Sequence, residues 1–147
     1  MKLSTFALRH EVNRLASTTA PFGARAEEIL GAAAFVDAQR EITAWPGYAP
    51  TPLIALSGLA AALGVAAIHY KDEGQRFRLK SFKALGGAYA VLKVLRRELA
   101  RRDIHIKGVE DLLADNHRTV TGDITVCCAT DGNHGRSVAW AAQMFGC

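Results

Sequence analysis

Two short stretches carry side chains whose types and spacing could do chemistry. In RLKSFKALGGAYA (residues 78–90), Ser81 is a candidate N-cap, and Lys83 falls in the first turn of the helix behind it. A helix N-terminus is the positive end of the helix dipole, so a cation is disfavoured there, and burial against Phe82 disfavours it further. Both effects favour a neutral amine, the form that Schiff-base chemistry needs. On position alone, a surface lysine reaching away from the first turn is the stronger reading. Gly86 and Gly87 add weight to the chemical one. Paired glycines cost a helix about 1 kcal/mol each, and they are tolerated where another backbone or a ligand comes close.

The second stretch is ATDGNHGRS (residues 129–137), between a β-branched run and a helix. Backbone N–H groups from Gly132 to Gly135 could hold a carboxylate or phosphate at such a helix start. Asn133 and His134 offer hydrogen bonds, and Asp131 could serve as a base. The plainer alternative is capping by Thr130, Asp131 or Asn133, with the glycines needed only for the turn.

Other chemistries lack a pattern. No glycine-rich run ends in Lys-Ser/Thr, and neither GxGxxG nor GxSxG occurs. His10, His69, His105, His117 and His134 show no metal-ligand spacing, so no metal site is expected. Cys127 and Cys128 are adjacent and on a strand would face opposite sides. They are expected as small buried hydrophobes, and Cys147 as an incidental thiol.

The elements that must position these residues form a short series. With 147 residues, 50% of them hydrophobic and 22% charged, the chain suffices for one core. Residues 1–25 read as irregular or partly helical, and 26–45 as a helix. WPGYAPTPL (45–53) is an extended connection, and SGLAAALG (57–64) a short helix with Ser57 as cap and Gly64 as stop. Residues 65–74 read as a buried strand, 81–102 as the lysine helix with Phe82, Leu85, Tyr89, Leu92, Leu95 and Leu99 along one stripe. Residues 104–123 read as loop with one or two helical turns, and ITVCCAT (124–130) as a second buried strand. The last helix carries Val138, Ala141, Ala142 and Phe145 on one face. This order predicts an α/β protein with parallel pairing. Two strands are too few for a stable parallel sheet, so the chain reads as the front part of something longer.

The net charge of +4 owes much to RRELARRD (96–103), at the polar side and C-terminal end of a helix, where the dipole favours cations. Solvation accounts for it without nucleic acid. The longest apolar run, around residues 58–68, is too short and too rich in Ala and Gly to span a bilayer. The N-terminus has no continuous apolar stretch of the signal-peptide kind. A cytoplasmic chain with neither membrane nor nucleic-acid partner is expected.

Taken together, SFK opening a helix and strand-GNHG-helix about fifty residues later resemble the fold-type II pyridoxal phosphate enzymes. These are the group of threonine dehydratase and tryptophan synthase β. TPL at Thr51, Pro52 and Leu53 matches their lead-in. The longer forms RLKSFKALGGAYA and ATDGNHGRSVAWAA are similar to the diaminopropionate ammonia-lyases, whereas dehydratases more often carry SFK-x-RGA and SAGNH. The likeness runs from about Tyr48 to the end.

The resemblance implies pyridoxal 5′-phosphate as cofactor, with Lys83 as its Schiff-base lysine flanked by Ser81 and Phe82. It puts Asn133 beside the cofactor's 3-hydroxyl. Thr130, Gly132, His134 and Gly135 belong to the loop that takes the substrate carboxylate. Asp131 stands where the ammonia-lyases have an aspartate, implying proton abstraction from the D-isomer, with Lys83 serving the L-isomer. The implied reaction is α,β-elimination of 2,3-diaminopropionate to pyruvate and ammonia, with an amino acid as small-molecule substrate and a homodimer as the intact enzyme. Residues 1–82 would be the N-terminal part of the large cofactor-binding domain and 83–147 the truncated start of the small one. The phosphate-binding loop and the partner of the pyridine nitrogen would lie beyond residue 147, leaving pieces of an active site rather than a whole one. Ser137 departs from the ammonia-lyase pattern, which favours glycine there. A serine/threonine dehydratase-like enzyme is the alternative within the family, and an inactive stand-alone fragment the alternative outside it.

Overall fold

The computed structural model describes residues 11–17, 19–130 and 132–147. Asp131 and His10 lie outside the described residues. The chain forms α1 (Ala24–Leu30), α2 (Ala32–Thr43), β1 (Leu53–Ala55), α3 (Ser57–Leu63) and β2 (His69–Lys71). A 3₁₀ segment (Glu73–Arg78) leads to α4 (Lys83–Ala100), which is followed by α5 (Glu110–Leu113), α6 (Arg118–Thr121) and α7 (Asn133–Met144). Among the described residues no helix is long and apolar enough to cross a membrane.

The core is helical. Ala88, Leu92, Leu95 and Leu99 on α4 are fully buried, with Val91 beside them, and they face Ala141 and Phe145 from the end of the chain. Full burial of each leucine is worth roughly 1.5–3 kcal/mol. The α4–α7 interface is the most extensive in the molecule. The apolar stripe expected for α4 holds at Leu92, Leu95 and Leu99, but Phe82 points into solvent at its start. Trp45 seals the other side against Phe77, Trp140 and Phe145, with ring centroids 5.9, 6.1 and 6.3 Å away.

Several expectations are corrected. The helix over 26–45 is two helices, because the chain bends at Gly31, where a Cβ would overlap the carbonyl oxygen of Glu27. Ser57 is the first helical residue rather than a side-chain cap, whereas Gly64 does end α3 in the left-handed conformation at φ 67°. The strand over 65–74 shrinks to His69–Lys71, is exposed, and pairs antiparallel with β1 in the register Leu53 to Lys71. ITVCCAT is extended but pairs with no strand among the described residues, and only Ile124 and Val126 lean on the core. Cys127 and Cys128 are accordingly exposed rather than buried. A ladder needs a neighbour, and the described chain supplies none for this run. The α/β mixture stands, with an antiparallel pair in place of the parallel one.

Arg96 also departs from a purely solvated role. It reaches across to α2 and holds the buried carboxylate of Glu41 at 2.8 Å. The remaining arginines nearby stay at the surface, with Arg101 on Glu98.

The 3₁₀ segment is held by a polar clip. Arg76, buried, donates to Glu73 at 2.8 and 3.0 Å, to the Thr51 hydroxyl at 3.0 Å and to the Ala49 carbonyl at 2.9 Å. Thr51 in turn donates to Glu73. The Arg76 guanidinium holds the Glu73 carboxyl below its ordinary value of 4.5, with the Thr51 hydrogen bond adding to the effect. A carboxyl lowered by folding stabilises the native state above its unfolded value and loses that contribution as pH falls through the folded one. Stability should therefore decline below about pH 4.5, and Glu73→Gln should flatten that part of a pH series of thermal melts.

Candidate functional site

The segment that delivers Lys83 is sharply bent. Phe77, Arg78 and Lys80 all adopt left-handed backbone, at φ 46°, 59° and 56°. Such conformations cost on the order of 1 kcal/mol or more each and persist where the surroundings over-determine them. Here the Arg76 clip fixes one side. On the other, the Phe77 ring packs on Trp140 of α7 with centroids 4.9 Å apart. The bend ends at Ser81, whose hydroxyl accepts from the Lys83 N–H at 3.2 Å, as the sequence predicted.

Lys83 itself is exposed at the start of α4. Its ammonium lies 5.0 Å from the centroid of the Phe82 ring, which is itself exposed, so the expected burial of the lysine against Phe82 is not realised. No carboxylate pairs with Lys83 among the described residues. The amine is thus approachable.

The glycine loop resolves in favour of a cap. Thr130 accepts from the N–H of Gly132 at 3.3 Å and of Gly135 at 2.9 Å through one hydroxyl. The amides expected to be free for a carboxylate are therefore occupied at those two positions. A Cβ on Gly135 would overlap the Thr130 methyl, so this glycine is there for the close approach of the threonine. Asn133 opens α7, and its side-chain oxygen sits 3.5 Å from Arg136. His134 is exposed and lines an open hollow of about 590 Å³ beside Val91 and Val94, while Thr130 and Gly135 line another of about 660 Å³. Lys83 lines neither, so these residues do not meet in one pocket.

What brings the two stretches together is the α4–α7 interface. Ser137, fully buried, donates through its hydroxyl to the carbonyl oxygen of Lys83 at 2.8 Å. Opposite it is Gly87, where an added Cβ would overlap the Ser137 hydroxyl and lie 3.6 Å from the His134 Nδ1. The first two turns of α4 are thereby in contact with the second turn of α7. Sequence reasoning missed Arg76, Phe77, Trp140 and Ser137 as parts of this arrangement. The one signal it had was the Gly86-Gly87 pair, and only Gly87 faces the other helix.

A family model described as pyridoxal-phosphate dependent enzyme matches residues 44–147, which include β1, α4, the glycine loop and α7. Diaminopropionate ammonia-lyase from Escherichia coli strain K12 is 46% identical over 101 residues, covering 68% of this chain and 24% of that protein. The enzyme of the same name from Salmonella typhimurium strain LT2 is also 46% identical, over 69% of this chain and 25% of its own length. Among solved structures, holo diaminopropionate ammonia lyase from Escherichia coli superposes with a TM-score of 0.55 at 39% identity, covering 74% of this chain and 26% of that one. Its complex with D-serine gives 0.55 and 39% as well, with 74% and 27% covered. The chain spans about a quarter of the length of these relatives. With both motifs inside the matched region, the chain belongs to the pyridoxal-phosphate dependent enzyme family.

Proposed function

We propose that this chain carries the lysine and glycine-loop portion of a diaminopropionate ammonia-lyase, converting 2,3-diaminopropionate to pyruvate and ammonia. The single observation that supports it best is the packed pair of helix starts. It packs the backbone of the turn that bears Lys83, through Ser137 and Gly87, against the helix that opens with Asn133 and His134. The residues present fit pyridoxal 5′-phosphate by their chemistry, since Lys83 is exposed and free of a carboxylate among the described residues. When bound, that cofactor supplies an electron sink for charge at the substrate Cα.

In this reading Lys83 holds the cofactor through its amine and exchanges a proton at Cα of the L-isomer. Phe82 offers a flat apolar neighbour, and the side chain of Asn133 a hydrogen bond to the cofactor's 3-hydroxyl. Thr130, Gly132, His134 and Gly135 orient the substrate carboxylate. For the backbone to donate there, Thr130 must yield the amides of Gly132 and Gly135 that it now occupies. Asp131 is assigned as base for the D-isomer. The boundary at residues 82 and 83 between a large and a small domain, a homodimeric intact enzyme and a cytoplasmic location belong to the same reading.

Asp131 separates this reading from a dehydratase-like one, in which a hydroxyl leaves and a carboxylate at that position has no evident task. In the active protein, Asp131→Asn should lower pyruvate release from D-diaminopropionate by roughly 10²–10⁴-fold, the span typical of a lost general base. Release from the L-isomer should change far less. Equal losses on both isomers, measured by pyruvate formation, would remove Asp131 from the role.

A further inference from the structure

We infer that Ser137 is a positioning residue for Lys83, and that Gly87 is the space it requires. The inference rests on the reading of Lys83 as the cofactor lysine. A serine inside a helix ordinarily turns its hydroxyl back to the carbonyl four residues earlier in its own helix. Ser137 does not. It crosses to the carbonyl oxygen of Lys83, 54 residues away in sequence, at 2.8 Å, and it is completely buried. Helical geometry gives the same carbonyl to the N–H of residue 87. One oxygen thus joins the first turn of α4 to the second turn of α7.

The fit depends on a missing side chain. A Cβ at position 87 would overlap the Ser137 hydroxyl and sit 2.9 Å from the Ser137 Cβ, distances real Cβ atoms do not show. The next neighbour, His134 Nδ1 at 3.6 Å, is ordinary contact. Gly86, adjacent, has nothing within 4 Å and so is not part of the pair. Ser137 therefore sets how the turn bearing Lys83 is rotated and spaced relative to the loop from Thr130 to Gly135. The side chain of Lys83 leaves the helix in the direction this contact fixes. Ser137 touches no reacting atom and acts through the backbone of another residue.

The test uses the active protein and its variants Ser137→Ala, Ser137→Gly, Gly87→Ala and the Gly87→Ala/Ser137→Gly double. Each is melted thermally, then treated with pyridoxal 5′-phosphate and cyanoborohydride, and the labelled lysines are mapped by mass spectrometry. Lys80, exposed and outside the helix, is the internal reference for Lys83. Ser137→Ala should lower the Lys83-to-Lys80 labelling ratio about two- to tenfold, the range of one hydrogen bond, and the melting point by only about 3–6 °C. Gly87→Ala should be severely destabilised beside the native serine and near normal in the Ser137→Gly background. If Gly87→Ala does not fold, folding of the double variant is itself the rescue. An unchanged labelling ratio in Ser137→Ala, or a Gly87→Ala cost equal in both backgrounds, would overturn the inference. No preference for Lys83 in the unaltered chain would instead sink the functional reading, on which the rescue, needing no cofactor, does not depend.

Discussion

Lys83→Ala should abolish lyase turnover in the active protein, with pyruvate release from either isomer of diaminopropionate falling at least about a thousandfold. Two separate contributions are lost. In the proposed reading the amine is the covalent attachment for the cofactor and the proton acceptor for the L-isomer, a role worth roughly 10²–10⁴-fold by itself. The rest of the molecule should barely notice. Lys83 is exposed, it pairs with no carboxylate among the described residues, and its ring contact with Phe82 at 5.0 Å is a surface one. The stability should move by no more than a surface substitution does, within about 0.5 kcal/mol. A variant that loses activity and also unfolds would mean that the lysine holds the structure rather than the cofactor. Activity and a thermal melt on the same preparation decide between the two.

A large effect on stability is also expected at Arg76. Arg76→Ala removes the guanidinium from a buried site where it satisfies Glu73, the Thr51 hydroxyl and the Ala49 carbonyl together. Glu73, whose side chain is only 16% exposed, then loses its ion-pair partner, with Lys71 the remaining cation that acts on it. Breaking one partner of a buried pair costs about 3–5 kcal/mol, because the remaining charge stays behind unpaired. The stacking of Arg76 over Tyr48 and Phe77, at 5.6 and 5.9 Å from the ring centroids, goes with it. Arg76→Lys should recover little, since an ammonium cannot reproduce the forked pattern of donors. The consequence reaches the site. The clip holds one side of the left-handed bend from Phe77 to Lys80, so its loss should loosen the approach to Lys83 as well. Denaturant unfolding of the three proteins, with an unchanged slope and a lower midpoint in both variants, checks the energetic part.

The parts of this fold that could be read from the sequence are those that depend on local signals. Ser81 caps the lysine helix and Gly64 ends α3, because a cap or a left-handed stop is settled within a few residues. The amphipathic spacing of α4 and α7 also survives, because each helix closes its own hydrogen bonds. Strands are different. ITVCCAT has the β-branched composition of a buried strand, yet it pairs with no strand among the described residues and is mostly exposed, since pairing is a property of neighbours and not of the run itself. The expected burial of Cys127 and Cys128 failed for the same reason.

At the site, residue types were readable and their surroundings were not. Lys83 and the glycine loop stand out by composition, whereas the three left-handed residues before Lys83 carry no glycine to announce them. Nor does the sequence say which of Gly86 and Gly87 meets the other helix, or that Thr130 takes the amides of its own loop. The structure shows the plainer reading of that loop, capping, and an exposed lysine at the start of its helix, while the chemical reading of both belongs to the proposed function. The loop is closed by Thr130 in this structure, and opening it is part of the proposed function.

The most direct test of the central claim is the site of covalent attachment of the cofactor. The active protein is incubated with pyridoxal 5′-phosphate, reduced with borohydride to fix whatever linkage has formed, and digested for peptide mapping. The pyridoxyl group should sit predominantly on Lys83, in the peptide containing SFK, with Lys71, Lys80, Lys93 and Lys107 labelled far less. Labelling spread evenly over the exposed lysines, or concentrated on any lysine other than Lys83, would contradict it.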